Sequence, residues 1–136
     1  MPIIIDGWNL IRSDSSRIVD EGGRSIESAL ELIAYLEDFQ RLRGDPIVLV
    51  FDSKKEYLGI DRPNTAKLTV VAANNADNYI KRYIDKVPER QRRNLRVVSS
   101  DRDIYYYAKS AYAEPQKSED FWKKLDPAPS SRRFKI

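Results

Sequence analysis

The chain of 136 residues contains no cysteine and no histidine. Without cysteine there are no disulfides and no thiolate-bound metal, a composition that suits a reducing compartment. Without histidine there is no imidazole base, no Ser-His-Asp or Cys-His triad, and no His-ligated zinc or iron. Any catalysis must run on carboxylates, lysines, tyrosines or a hard metal ion. Long apolar runs are missing too. Ile3 to Ile5 is too short for a signal-peptide core or a membrane span. The expected location is the cytoplasm, with no membrane partner.

What is present describes one domain with a real core. The apolar share is 41% and the charged share 33%, both ordinary for a globular protein. The net charge of +3 is unevenly spread: residues 1–77 carry 9 Lys/Arg against 13 Asp/Glu, and residues 78–136 carry 15 against 8. An acidic half beside a basic half suits a polyanion whose phosphates approach through bridging cations. Chance clustering on a solvated surface gives the same counts.

Short apolar runs alternate with helical patterns. Ile3 to Ile5 reads as a buried strand ending in a loop at Asp6-Gly7. Asp20 to Gly23 marks a loop. Ser25 is placed to N-cap a helix, with Ile26, Ala29, Leu30, Ile33, Leu36 and Phe39 at helical spacing and Gly44 at the C-terminal stop. Ile47 to Phe51 is a second strand, stopped by Asp52. The connection from Ser53 to Lys67 is long enough for a crossover but weakly periodic. Leu68 to Ala72 is a third strand. Ala76 to Val87 is helical, with Pro88 just beyond it. Arg96 to Ser99 is the fourth strand, and Ile104 to Tyr112 another helix. Ala113 to Lys117 is a short edge strand that tolerates Pro115. Ser118-Glu119-Asp120 caps a last turn through Phe121, Trp122 and Leu125, with Trp122 an anchor by packing. Residues 126–136 read as a flexible basic tail, leaving 1–125 as the domain.

Strands alternating with helices imply an α/β fold, a parallel sheet covered on both faces. Ligands then bind beyond the carboxyl ends of the strands. Asp6, Asp52 and Asp101 each follow a strand, and Asp77 begins the helix after the third. Four junctions therefore deliver four aspartates to one edge. Aspartate also caps helices, an objection that falls hardest on Asp77 and Asp103, since each begins a helix, and least on Asp6 and Asp52. Crowded carboxylates repel, and a divalent cation relieves the conflict. An all-oxygen set selects Mg²⁺ or Mn²⁺, which makes phosphodiester hydrolysis the natural reaction class.

These residues resemble a known family. Asp6-Gly7-Trp8-Asn9 is similar to the opening "DGYN" of the NYN domains, a branch of the PIN-like nucleases. Val50-Phe51-Asp52 resembles their second acidic motif, Ala76-Asp77-Asn78-Tyr79-Ile80 their "ADxxI" helix start, and Ser99-Ser100-Asp101-Arg102-Asp103 their "SSDxD" loop. The similarity is greatest to the YacP-like bacterial proteins and spans residues 3 to about 125. It implies a three-layer α/β/α PIN-like domain with a mostly parallel sheet ordered 3-2-1-4-5. It further implies a metal-dependent endoribonuclease of RNA decay acting on mRNA or structured RNA, with the ribosome a candidate partner. Asp6, Asp52, Asp77 and Asp101 would ligate Mg²⁺ or Mn²⁺ or position the attacking water. Asn9 would orient the scissile phosphate or hydrogen-bond to Asp6, and Asp103 would be a supporting carboxylate or an N-cap.

Two positions depart from the YacP-like pattern. Asn74 stands where a glutamate is usual, and Lys81 where an acidic residue is usual. Asn74 still offers a carbonyl oxygen, and Lys81, at i+4 from Asp77, is placed to pair with it. Both changes argue for a leaner site with a single firmly bound metal ion. They also favour the chief alternative, a non-catalytic RNA- or ribosome-binding module. A haloacid-dehalogenase-type phosphatase needs a second aspartate where Trp8 stands, and a phospho-receiver needs an acidic pair after strand one that is absent.

Residues 81–96 hold seven basic side chains, among them Lys81, Arg82, Arg90, Arg92 and Arg93. With Arg102 they form a candidate path for the RNA backbone leading toward Asp101, or else a solvated helix face. Trp8 is the candidate base-stacking residue, or a lid on the sheet edge. Of Tyr105, Tyr106 and Tyr107, three consecutive helical positions, at least one is expected in the core.

Overall fold

A computed structural model describes residues 1–20, 23–54, 64–65 and 67–125 of the chain. Its elements run β1 (Ile3–Asp6), α1 (Gly7–Arg12), α2 (Ile26–Arg43), β2 (Ile47–Asp52), β3 (Leu68–Ala73), α3 (Ala76–Lys86), a 3-10 helix (Glu89–Asn94), β4 (Arg96–Val98), α4 (Arg102–Ser110), β5 (Glu114–Gln116) and α5 (Ser118–Trp122). The Ser53–Lys67 crossover and the 126–136 tail lie largely or wholly outside the described residues, as do Glu21 and Gly22 of the first loop. Among the described residues no helix is long and apolar enough to cross a membrane.

The five strands form one sheet in the order β3-β2-β1-β4-β5, and every pairing is parallel. Side chains alternate across it, as a strand's two-residue period requires. Ile3, Ile5, Leu49 and Phe51 face α1, α2 and α5, while Ile4, Val50 and Val97 face α3 and α4. The sheet is thus the middle of three layers. Its strands are apolar nearly throughout because both faces are covered. Pro115 sits on β5, opposite Val97 at the sheet's edge, where its missing N–H leaves no ladder bond unmade.

Helix α2 starts and stops where its sequence directs. The Ser25 hydroxyl accepts the Ser28 N–H, and Gly44 closes the helix in the left-handed region at φ 72°. Its buried stripe is rotated from the expected one: Ile26 and Leu30 are exposed, and Leu32 and Tyr35 are buried. The cause is α5, whose Trp122 and Phe121 meet Tyr35 and Phe39 edge-on at 5.2 and 5.5 Å. Arg17 fastens the end of α5 by donating to the Trp122 and Leu125 carbonyls.

Two local expectations are corrected. The chain enters α1 directly at Gly7 rather than a loop, because Gly7 lets the backbone pass close over Phe51, where a Cβ would stand 2.5 Å from the ring. Ser118 does not cap α5; its hydroxyl is buried and turned toward α1.

Candidate functional site

In a parallel sheet every strand ends at the same edge, so the junctions after β1, β2, β3 and β4 lie side by side. A cavity of about 430 Å³ opens there, lined by Asp6, Asp52, Asp77 and Asp101 together. The aspartates expected from separate motifs therefore do meet. Among the described residues, however, no three acidic side chains are drawn tightly enough to form a finished metal-ligand set.

Asp6 is the most enclosed of the four, at 8% exposure. Burial, with the charges of Asp77 and Asp101 nearby, pushes its carboxyl up to about 6, against the pull of the Ser99 hydroxyl and the Asn9 backbone amide. Burial and Asp101 also raise the Asp77 carboxyl, and Lys81 partly offsets them. Asp77 does not cap α3: Asn75 does, accepting the Asn78 N–H at 3.0 Å. The cap falls on Asp101 instead of Asp103. Asp101 Oδ1 takes the N–H groups of Asp103 and Ile104, which leaves Oδ2 outside the cap. Asp52 is half-exposed and pairs with Arg24 at 3.2 Å.

Asn9 is held by its carbonyl oxygen. Oδ1 accepts the Ser100 N–H at 2.8 Å and the Ser118 hydroxyl at 2.7 Å. A backbone N–H can only donate, so the atom facing it is the oxygen, and Nδ2 is the group Asn9 can offer the cavity. Asn9 thereby ties α1 to the β4–α4 loop and to α5. Ser100 continues the chain of bonds by donating to Glu119 and accepting the Ser118 N–H.

Lys81 does not pair with Asp77. Its Nζ reaches across to α4 and meets Asp103 at 2.5 Å, because α3 and α4 pack side by side on one face of the sheet. Asn74 lines the cavity and is exposed. Trp8 is not available for stacking: it is 5% exposed, packs on Phe51 at 4.6 Å, and donates its indole N–H to the Asp52 carbonyl. None of the three tyrosines is fully buried. Tyr106 is exposed, and Tyr107 donates to Asp85.

The basic segment is split by the topology. The 3-10 helix precedes β4, so Arg90, Arg92 and Arg93 lie at the amino end of the sheet, opposite the aspartates. Arg92 is spent on the Val87 and Asp85 carbonyls. The cations that do line the acidic cavity are Arg12 and Arg24, which the motifs did not single out. Their one sequence signal is position: each lies in the β1-to-α2 stretch that returns to the carboxyl edge. Arg102 is exposed in the first turn of α4, at that same edge.

A five-stranded parallel sheet in this order, with acidic residues at its carboxyl edge, defines a PIN-like α/β domain. The chain belongs to the YacP-like NYN domain family, whose model matches residues 3–135. Its fold is similar to the crystal structure of Rae1 (YacP) from Bacillus subtilis, with a TM-score of 0.69 at 17% identity over 91% of this chain and 72% of that one. A point mutant of the same Bacillus protein matches with a TM-score of 0.68 at 16% identity, over 90% and 73% of the two chains. No curated protein sequence matches the chain.

Proposed function

We propose that the chain is a metal-dependent endoribonuclease of cytoplasmic RNA decay, hydrolysing phosphodiester bonds at the four-aspartate cavity. The observation that carries this reading is the convergence of Asp6, Asp52, Asp77 and Asp101, from four separate strand ends, on one cavity in a nuclease-like fold. The donor set is all oxygen, which fits Mg²⁺ or Mn²⁺. Burial, with the charges of Asp77 and Asp101 beside it, lifts Asp6 to about 6, and a bound cation would offset that penalty on its charge. When bound, such an ion supplies charge neutralisation and an acidified water.

The chain's own groups divide the remaining work. Asp6, the most enclosed of the four carboxylates, accepts the proton of the attacking water. Asn9 Nδ2 donates to a non-bridging phosphate oxygen. Arg12 and Arg24 hold the flanking phosphates at the cavity wall. Asp6→Asn, tested beside wild type for Mg²⁺- or Mn²⁺-dependent RNA cleavage, is the deciding experiment. Cleavage that survives the substitution overturns the mechanism.

A second reading is a non-catalytic RNA- or ribosome-binding module. The pairing of Asp52 with Arg24 and of Asp103 with Lys81 favours it, since both spend acidic groups on internal cations. Retained RNA binding without cleavage, at any Mg²⁺ or Mn²⁺ concentration, would decide for it.

A further inference from the structure

Beside the acidic cavity lies a second one, also of about 430 Å³, against edge strand β3 and the first two turns of α3. The two share Asn74 and Asn75 as a common wall. Their linings differ in chemistry. The second cavity has no acidic side chain and is built from amides, one phenol ring and one guanidinium. Ala72 and Ala73, carrying only methyl groups at the sheet's edge, leave it open.

Asn75 aside, the polar side chains there are unspent among the described residues. Asn75 Oδ1 is fixed by its cap on Asn78 N–H. The side chains of Asn74, Asn78 and Arg82 are solvent-facing or partly so and have no hydrogen-bond or ion-pair partner among the described residues. Asn78 and Arg82 are four residues apart on α3 and so share one helix face. Tyr79 beside them is half-buried and backed by the α3–α4 core cluster, which holds its ring firmly.

We propose that this cavity is a nucleobase subsite. It holds the nucleotide adjoining the phosphate at the aspartates: the Asn74 and Asn78 amides meet the base edge, Tyr79 presents a ring to the base, and Arg82 meets the next phosphate. A carboxamide offers a donor and an acceptor side by side, the pattern a base edge presents in return. An aromatic ring beside a cation is the usual platform for a single strand. The shared Asn74–Asn75 wall lets one strand pass from one cavity to the other without a break. This inference rests on RNA being the ligand of the acidic site, and it adds that the site distinguishes bases.

The test is equilibrium binding of labelled hexa-adenylate, hexacytidylate and hexauridylate to Asp6→Asn protein in EDTA, so that binding is read without metal-dependent cleavage. The tightest should bind about tenfold better than the weakest. A double Asn74→Ala, Asn78→Ala substitution should narrow that spread to about twofold, while Arg82→Ala should weaken all three alike. Circular dichroism checks that each variant is folded, as expected for exposed positions. Equal binding of the three oligomers, or a spread unchanged in the double variant, overturns the subsite. Failure of wild type to cleave any RNA would instead overturn the nuclease reading and leave the binding spread standing.

Discussion

The Ser99 hydroxyl sits between two of the aspartates, donating to Asp6 Oδ2 at 3.2 Å and accepting the Asp101 N–H at 3.1 Å. It joins the ends of neighbouring strands β1 and β4, and its bond draws the Asp6 carboxyl down while burial and two nearby carboxylates draw it up. The balance leaves Asp6 near 6, above the 3.8 of a free side chain. A carboxyl raised on folding favours the protonated form in the native state. Its ionisation therefore costs stability as pH rises from about 4 through about 6.

Asp6→Asn removes that cost. Without metal, the variant should be more stable than wild type at pH 7.5, by on the order of 2 kcal/mol, and close to it at pH 4. Thermal denaturation at the two pH values reads the difference. A variant equally destabilised at both would show that Asp6 makes native contacts worth more than its burial costs.

Ser99→Ala should act on the same group in the opposite sense. Losing the hydroxyl leaves Asp6 harder to ionise in the metal-free protein, so its titration should move to higher pH. Carboxyl NMR across a pH series in EDTA tests this. A destabilised variant with an unmoved Asp6 titration would assign Ser99 to structure alone.

Gly7 carries a steric prediction. A Cβ there would stand 2.5 and 2.7 Å from the Phe51 ring and 3.0 Å from the Val50 carbonyl. The ring cannot withdraw, being fully buried and backed by Trp8. Gly7→Ala should cost about 1–3 kcal/mol, read as a lower urea midpoint with an unchanged slope.

Much of this arrangement was legible beforehand because parallel strands announce themselves. Ile3 to Ile5 and Ile47 to Phe51 are apolar runs stopped by aspartate, and both are central strands. What escaped was set by contacts distant in sequence. Lys81 has Asp77 one turn away on its own helix, yet it bonds Asp103 because α4 packs alongside. Trp8 follows the motif glycine and looks exposed, yet Phe51 and the Asp52 carbonyl, far along the chain, draw it inward. Asp101 rather than Asp103 caps α4, since that helix begins two residues before its first apolar position.

Lys81 places a fixed positive charge beside Asp77 and Asp103, partly offsetting the upward push on the first and bonding the second. A resident ammonium competes with a divalent ion for the same field. Lys81→Ala should therefore tighten Mn²⁺ binding several-fold, as measured by titration calorimetry in the absence of RNA. Weaker binding in the variant would mean that Lys81 organises the aspartates rather than competing at them.

The arginines should separate by sheet edge. Arg24 lines the acidic cavity and pairs with Asp52 at 3.2 Å, with both side chains well exposed. Such a pair contributes less than about 1 kcal/mol to stability, so Arg24→Ala should fold normally. If Arg24 meets a phosphate, its loss should weaken RNA binding and reduce the slope of log affinity against log salt by about 1. Arg90 and Arg93, at the opposite edge, line a separate cavity with Pro88 and Tyr112. Their joint replacement by alanine should leave cleavage of a short RNA within about twofold of wild type, because an oligomer that fills the aspartate cavity does not span the sheet. A large loss on short RNA would mean that the strand wraps from one edge to the other, and the path along β3 and α3 would then have to continue past Lys86 to the 3-10 helix.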